Sequence, residues 1–154
     1  MPNMQGGIKK AAGAATPVAV ESKADRGSHE WMRCYYDAWN RRDWEWIGAM
    51  LAPDVEWTNA ARDERIKGAS AVLASFRGVI EGFPSAMIEL RSVHVAGNVI
   101  VAECAIRTGQ EPTAARSAAF CEIVELKSGR CVRGSTYADS VRLLMDMSEK
   151  PAAA

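Results

Sequence analysis

The chain has 154 residues, 48% hydrophobic and 25% charged, which fits one domain with a buried core and excludes disorder of the whole chain. Basic and acidic side chains number 19 each, and no Lys/Arg run exceeds two residues, so neither nucleic acid nor an anionic membrane surface is an expected partner. No apolar stretch approaches the ~20 residues of a membrane-spanning helix.

Residues 1–25 are rich in Ala, Gly and Pro without periodicity and read as a flexible tail. The stretch Lys9 to Val20 has two lysines followed by small apolar residues. It lacks a Leu-rich centre and is interrupted by Pro17, so it is not read as a secretion signal. The folded domain is expected over 26–148, with a short C-terminal tail over 149–154. Ser28 is placed to cap a first helix running to about Asn40, with Trp31, Tyr35, Ala38 and Trp39 on its apolar face and Cys34 beside them. Arg41, Arg42 and Asp43 read as a solvated turn, with Asp43 capping a second short helix that carries Trp46, Ile47, Met50 and Leu51 and stops at Pro53. Asp54 to Asn59 alternates as a strand, with Val55, Trp57 and Asn59 on one face. Ala60 to Lys67 is polar and turn-like. A third helix runs from Gly68 to about Glu81, with Val72, Phe76, Val79 and Ile80 on one side, and ends at Gly82 and Pro84.

The remainder reads as antiparallel sheet: Met87 to Val95, a tight turn at 96–98, Val99 to Thr108, a loop at 109–113, Arg116 to Leu126, a turn at 127–130, and Cys131 to Val141. Helices gathered early and strands late indicate α+β rather than a parallel α/β sheet. The four cysteines, Cys34, Cys104, Cys121 and Cys131, have neither zinc-site nor CxxC spacing. With only His29 and His94 as histidines, no metal site is expected, and the thiols are read as reduced, in a cytoplasmic protein.

This order resembles the nuclear-transport-factor-2-like superfamily, which includes ketosteroid isomerases, scytalone dehydratases, limonene-epoxide hydrolases and SnoaL-type polyketide cyclases. The resemblance covers about residues 28 to 146. It rests on Tyr35-Tyr36-Asp37-Ala38-Trp39-Asn40-Arg41-Arg42-Asp43-Trp44, Leu51-Ala52-Pro53-Asp54-Val55-Glu56-Trp57, Lys67-Gly68, Gly82-Phe83-Pro84, Gly129-Arg130 and Tyr137-Ala138-Asp139. It implies three helices and a cone-shaped, curved, mixed or antiparallel sheet wrapped as an α+β barrel around a long N-terminal helix. It further implies an enclosed pocket for a small apolar organic ligand, and homodimers formed through the outer sheet face. One fold of this kind hosts many chemistries.

The reactions of such proteins need a base beside an acidic C–H or a water, and a donor for the oxygen that gains charge. By resemblance, Tyr35 matches the ketosteroid isomerase tyrosine that donates to that oxygen; the plainer reading is a core aromatic. Trp57 stands where an isomerase has its catalytic aspartate and an epoxide hydrolase a tyrosine, and an indole cannot accept a proton. Asn59 matches the epoxide hydrolase asparagine that orients water, or else caps a strand end. The charged positions of an epoxide hydrolase correspond here to Cys104, Ile106 and Thr136, which makes epoxide opening the weakest of the enzymatic readings.

Glu122 interrupts the apolar strand Phe120-Cys121-Glu122-Ile123-Val124 and shares a face with Phe120, Val124 and Leu126. If that face is inward, its carboxyl is desolvated, its pKa raised and its basicity useful; otherwise it forms a salt bridge or lies exposed. Asp139 is the nearest counterpart of the aspartate acid/base that SnoaL-type cyclases carry late in the last strand; alternatively it pairs with an Arg such as Arg142. Glu103 and Arg107, about 13 Å apart along one strand, are expected to pair across strands or at a dimer face. His94 reads as a structural, hydrogen-bonded residue and His29 as solvent-facing.

The candidate catalytic set is therefore Tyr35, Asn59, Glu122 and Asp139, with a substrate wall of Trp39, Trp57, Phe76, Phe83, Phe120 and Thr136. The chemistry expected is cofactor-independent cyclisation, isomerisation or dehydration of a polyketide- or terpenoid-like carbonyl compound. A non-catalytic binding or dimerisation module of the same fold is the alternative.

Overall fold

A computed structural model describes residues 23–108 and 116–139. The expectations for the N-terminal segment through Ser22, the loop at 109–113, Arg142 and the C-terminal tail lie outside these residues.

Helix α1 covers Lys23–Arg41, so it begins before Ser28, which lies inside it rather than at its cap. Its apolar stripe is wider than the expected one: Met32, Tyr35, Tyr36, Ala38 and Trp39 are all buried. The helix closes with Arg42 in the left-handed region (φ 61°). There the Arg42 N–H donates to Trp39 O (3.1 Å) and the Asp43 N–H to Ala38 O (2.8 Å), the bond pair of a Schellman cap. A side chain at positive φ is unfavourable, and the Arg42 guanidinium offsets this by donating to Trp39 O (2.8 Å), Pro84 O (2.9 Å) and Ala86 O (2.6 Å). The solvated turn expected at 41–43 is thus corrected at Arg42, which ties the end of α1 to the segment after the third helix. Asp43 does cap: its carboxylate accepts from the Trp46 N–H (3.0 Å) at the start of α2, Trp44–Met50.

Strand β1 spans Leu51–Asn59 and contains Pro53, which was expected to precede the strand. Pro53 falls between the paired positions Leu51 and Glu56, where the register against the last strand shifts, so its missing N–H costs no ladder bond. A 3-10 turn over Ala60–Arg62 leads into β2, Glu64–Lys67, a strand the sequence reading took for a turn. Three of its four residues are exposed and charged, as suits an edge strand. Gly68 (φ 93°) precedes α3, Ala69–Gly82, which buries Val72, Phe76 and Ile80. Then come β3 (Met87–Ala96), β4 (Val99–Thr108), β5 (Arg116–Lys127) and β6 (Arg130–Ala138).

The six strands form one sheet in the order β2-β1-β6-β5-β4-β3. β3 to β6 make an antiparallel meander, and β1 joins β6 in parallel, the one parallel pair among the described residues. β2 and β3 are free edges, so the expected barrel is corrected to an open mixed sheet. The α+β class with three helices stands. The core lies between the helices and the sheet face carrying Val55, Trp57, Ile100, Ala102, Cys104 and Val124. Asn40 clamps α1 to β3: its amide donates to Ile88 O (2.9 Å) and accepts from Ile88 N–H (2.8 Å).

Candidate functional site

Alternation along β5 turns Phe120, Glu122, Val124 and Leu126 toward the core, and Glu122 is 5% exposed. Its Cα partners are Ala102 on β4 and Thr136 on β6. One carboxylate oxygen, Oε2, accepts from the Tyr36 hydroxyl at 2.7 Å; the other, Oε1, accepts from Thr136 Oγ1 at 3.2 Å. Thr136 Oγ1 in turn accepts from Trp57 Nε1 at 3.0 Å. No basic side chain among the described residues pairs with Glu122.

Burial pushes the Glu122 carboxyl up to about 7, and the bonds from Tyr36 and Thr136 hold it back from going further. Near neutrality both protonation states are therefore populated, which is the condition for giving and taking a proton. Burial, and then the neighbouring Glu122 charge, hold the Tyr35 and Tyr36 phenols well above their ordinary range. The Cys104 and Cys131 thiols are pushed up to about 12, chiefly by burial. All four groups are neutral hydrogen-bonding or packing elements at pH 7.

Tyr35, next in sequence to Tyr36, stacks on Trp31 (ring centroids 5.2 Å) and meets Trp39 edge-on (6.3 Å). Its hydroxyl and Trp39 Nε1 are both buried and lie near each other without a well-aligned hydrogen bond. The aromatic wall continues from Trp39 to Phe76 (4.9 Å) and from Phe76 to Trp57 (4.8 Å), while Phe120 meets Tyr36 at 6.4 Å. Of the expected wall, Trp39, Trp57, Phe76, Phe120 and Thr136 thus join one connected set with Glu122. Phe83 is half-buried at the C-terminus of α3 and packs against the core from there.

Two expected residues stand apart from Glu122. Asn59 ends β1 opposite Thr136 and Glu64; it is half-buried, and its side chain makes no cap bond to the 3-10 turn. Asp139 lies just past β6, where its N–H donates to Ala119 O (3.2 Å). It is exposed and borders a groove of about 410 Å³ shared with Arg91, Glu103, Cys121 and Tyr137. On the exposed side of the sheet Ser92 donates to Glu103, His94 Nε2 lies 3.6 Å from Glu103, and Arg107 pairs with Glu89; these are cross-strand surface contacts.

Tyr36 is the residue the sequence reading missed. Both tyrosines fall within the apolar arc of α1, and it was the resemblance to ketosteroid isomerases that pointed to Tyr35. Only the placement of β5 beside α1 decides which hydroxyl meets the acid.

Among the described residues no helix is long and apolar enough to cross a membrane, and no cluster of three His, Cys, Asp or Glu could hold a metal ion. No curated protein matches the chain significantly. Solved structures share its fold. A protein from Jannaschia sp. CCS1 described as a SnoaL-like polyketide cyclase is 15% identical with a TM-score of 0.73, over 87% of this chain and 100% of its own. An NTF2-like protein of unknown function from Burkholderia pseudomallei is 22% identical with a TM-score of 0.69, over 79% and 98%. IdmH from Streptomyces antibioticus, described as a polyketide cyclase, is 16% identical with a TM-score of 0.68, over 77% and 96%. A family model described as a SnoaL-like domain matches residues 32–134. With two-thirds of its length matched, the chain belongs to the SnoaL-like domain family.

Proposed function

We propose that this protein is a cofactor-independent acid–base enzyme acting on a small apolar carbonyl compound of polyketide or terpenoid type, by cyclisation, isomerisation or dehydration. The observation that carries the reading is Glu122: a buried carboxyl on the core face, poised near pH 7 and held by two hydroxyls. Ionised, it would remove a proton from the carbon beside the ligand carbonyl; protonated, it would return that proton elsewhere. The buried donors Tyr35 and Trp39 Nε1, which have no well-aligned partner, would take the oxygen that gains charge, with Asn59 a further polar contact at the end of β1. Trp39, Trp57, Phe76, Phe83 and Phe120 would wall the ligand space beside the sheet's helical face. The proposal centres on Glu122 rather than Asp139, which is exposed at the end of β6. The carbonyl itself spreads the developing charge, so the step calls for no cofactor. We further propose a cytoplasmic homodimer formed through the outer sheet face, which would cover the exposed Tyr137.

The test is carbon-bound hydrogen exchange. In deuterated buffer, a panel of cyclic ketones and 1,3-diketones is followed by proton NMR with the wild-type chain and with Glu122→Gln. The expected result is exchange on at least one compound, slowed by about 100-fold or more in the variant. Equal rates for the two proteins remove Glu122 as the base.

A second reading has its own support. Both Glu122 oxygens are already engaged by protein donors, as in a structural buried acid, and this favours a non-catalytic binding module of the same fold. Retention of a small molecule by the purified chain, without exchange on any carbonyl compound, would decide for it. Epoxide hydration remains the weakest alternative, since Cys104, Ile106 and Thr136 supply none of the charges it needs.

A further inference from the structure

Trp57 and Gly134 are Cα partners across the parallel β1–β6 pair. The indole occupies the space where a side chain at 134 would stand: a Cβ there would fall 2.0 Å from Cζ3, 2.2 Å from Cε3 and 2.7 Å from Cη2 of Trp57. Only glycine at 134 admits the ring. So seated, the ring presents Nε1 to Thr136, two residues further along β6.

The direction of each bond in this chain of groups is set by chemistry. An indole N–H only donates, so Thr136 Oγ1 must be the acceptor at 3.0 Å. A hydroxyl carries one proton, and an acceptor for it lies 3.2 Å away at Glu122 Oε1. The order is therefore indole to hydroxyl to carboxylate. The opposite oxygen is held differently. Tyr36 can both donate and accept, and the Cys104 thiol beside it can take its proton when it turns away from the carboxyl.

We infer that Trp57 is a positioning residue for Glu122, acting through Thr136 from a seat that Gly134 provides, and that the carboxyl exchanges its proton at Oε2, the oxygen facing Tyr36. Oε1 is a standing acceptor; Oε2 is the oxygen whose partner can reverse. The inference names the working oxygen of the base and so rests on the proposed role of Glu122, but the arrangement of Trp57, Thr136 and the carboxyl can be tested without activity. The other titratable groups acting on Glu122 or feeling its charge are Tyr35 and Tyr36 from α1, Cys104 from β4, Cys121 on its own strand and Cys131 from β6. Each is held above its ordinary range and is neutral near pH 7, so the hydrogen bonds from Tyr36 and Thr136 are the contacts that moderate the acid.

The measurement is the titration of Glu122 in the full chain, followed through the infrared band of its protonated carboxyl and assigned by its absence in Glu122→Gln. Thr136→Val is expected to move the titration up by about one pH unit, since a bond to the charged form is lost. Thr136→Ser keeps the hydroxyl and is expected to titrate as wild type. Trp57→Phe is expected to move it in the same direction by less, because the hydroxyl remains but is no longer aimed. Replacing Trp57 by a benzothiophene analogue preserves the ring's shape while removing only the N–H, and should reproduce that shift in a fold left intact. Wild-type titration in the analogue, with Thr136→Val shifted, overturns the role of Trp57. An unshifted Thr136→Val overturns the whole chain of groups. Failure of carbonyl exchange in the wild-type protein would instead refute the proposed function and leave these titrations standing.

Discussion

Replacing Glu122 by Gln should convert a pH-dependent stability into a flatter one. The folded carboxyl titrates at about 7, against 4.5 for an unperturbed glutamate. Below about pH 4.5 the acid is protonated in folded and unfolded chains alike, and its contribution is fully present. As the pH rises, the unfolded chain releases the proton first, while the folded chain must either keep it or bury a charge. Stability from this group is therefore lost progressively between about 4.5 and 7. The gap corresponds to about 3 kcal/mol in total, a large share of the ~5–15 kcal/mol that holds a domain together. Gln fills the same volume, does not titrate, and keeps one acceptor oxygen for Tyr36 or Thr136. Urea unfolding of both proteins at several pH values from 5 to 8 gives the difference directly. Variant minus wild type should climb by up to about 1.4 kcal/mol per pH unit and level off above pH 7.5. A difference that stays constant over that range would show that Glu122 has an ordinary carboxylate pKa, and the reasoning about its burial would fail.

Tyr36→Phe should raise the Glu122 titration by about one pH unit, whereas Tyr35→Phe should leave it nearly unmoved; the same infrared band reads both. Because the Tyr35 hydroxyl is buried without a well-aligned hydrogen bond, Tyr35→Phe is expected to be neutral or stabilising by about 1 kcal/mol in urea unfolding. Gly134→Ala, with its Cβ 2.0 Å from the Trp57 ring, should destabilise by about 3 kcal/mol and change the tryptophan fluorescence as the ring leaves its seat; an unchanged midpoint would contradict that packing. Asn40→Ala removes both bonds to Ile88 and should cost about 2 kcal/mol, with faster hydrogen exchange at the Ile88 amide.

Much of the architecture follows from local sequence. The 3.6-residue stripe of α1, the Asp43 cap, the Gly68 and Gly82 boundaries of α3 and the turns at 97–98 and 128–129 are short-range signals, and each element they predict is present. The same alternation that defines β5 put Glu122 on its apolar face, because side chains on a strand have only two directions to choose from. The misses have physical causes as well. β2 carries no hydrophobic alternation and exists because β1 offers it backbone partners. Pro53 sits inside a strand because it falls at a register shift, where its missing N–H costs no ladder bond. Arg42 reads as a solvated charge, yet three carbonyls brought together by the tertiary fold make it a tie.

What the sequence alone determined, then, was most of the helices and strands and the sharing of one strand face by Glu122 and its apolar neighbours, since both depend on periodicity within a few residues; that this face is the inward one was decided by the fold. Which tyrosine meets that acid, whether a threonine steadies it and why a glycine lies beneath Trp57 were decided only when α1, β1 and β6 converged on β5. Those contacts join residues up to 86 positions apart, and their distances depend on how the elements pack, which local periodicity does not encode.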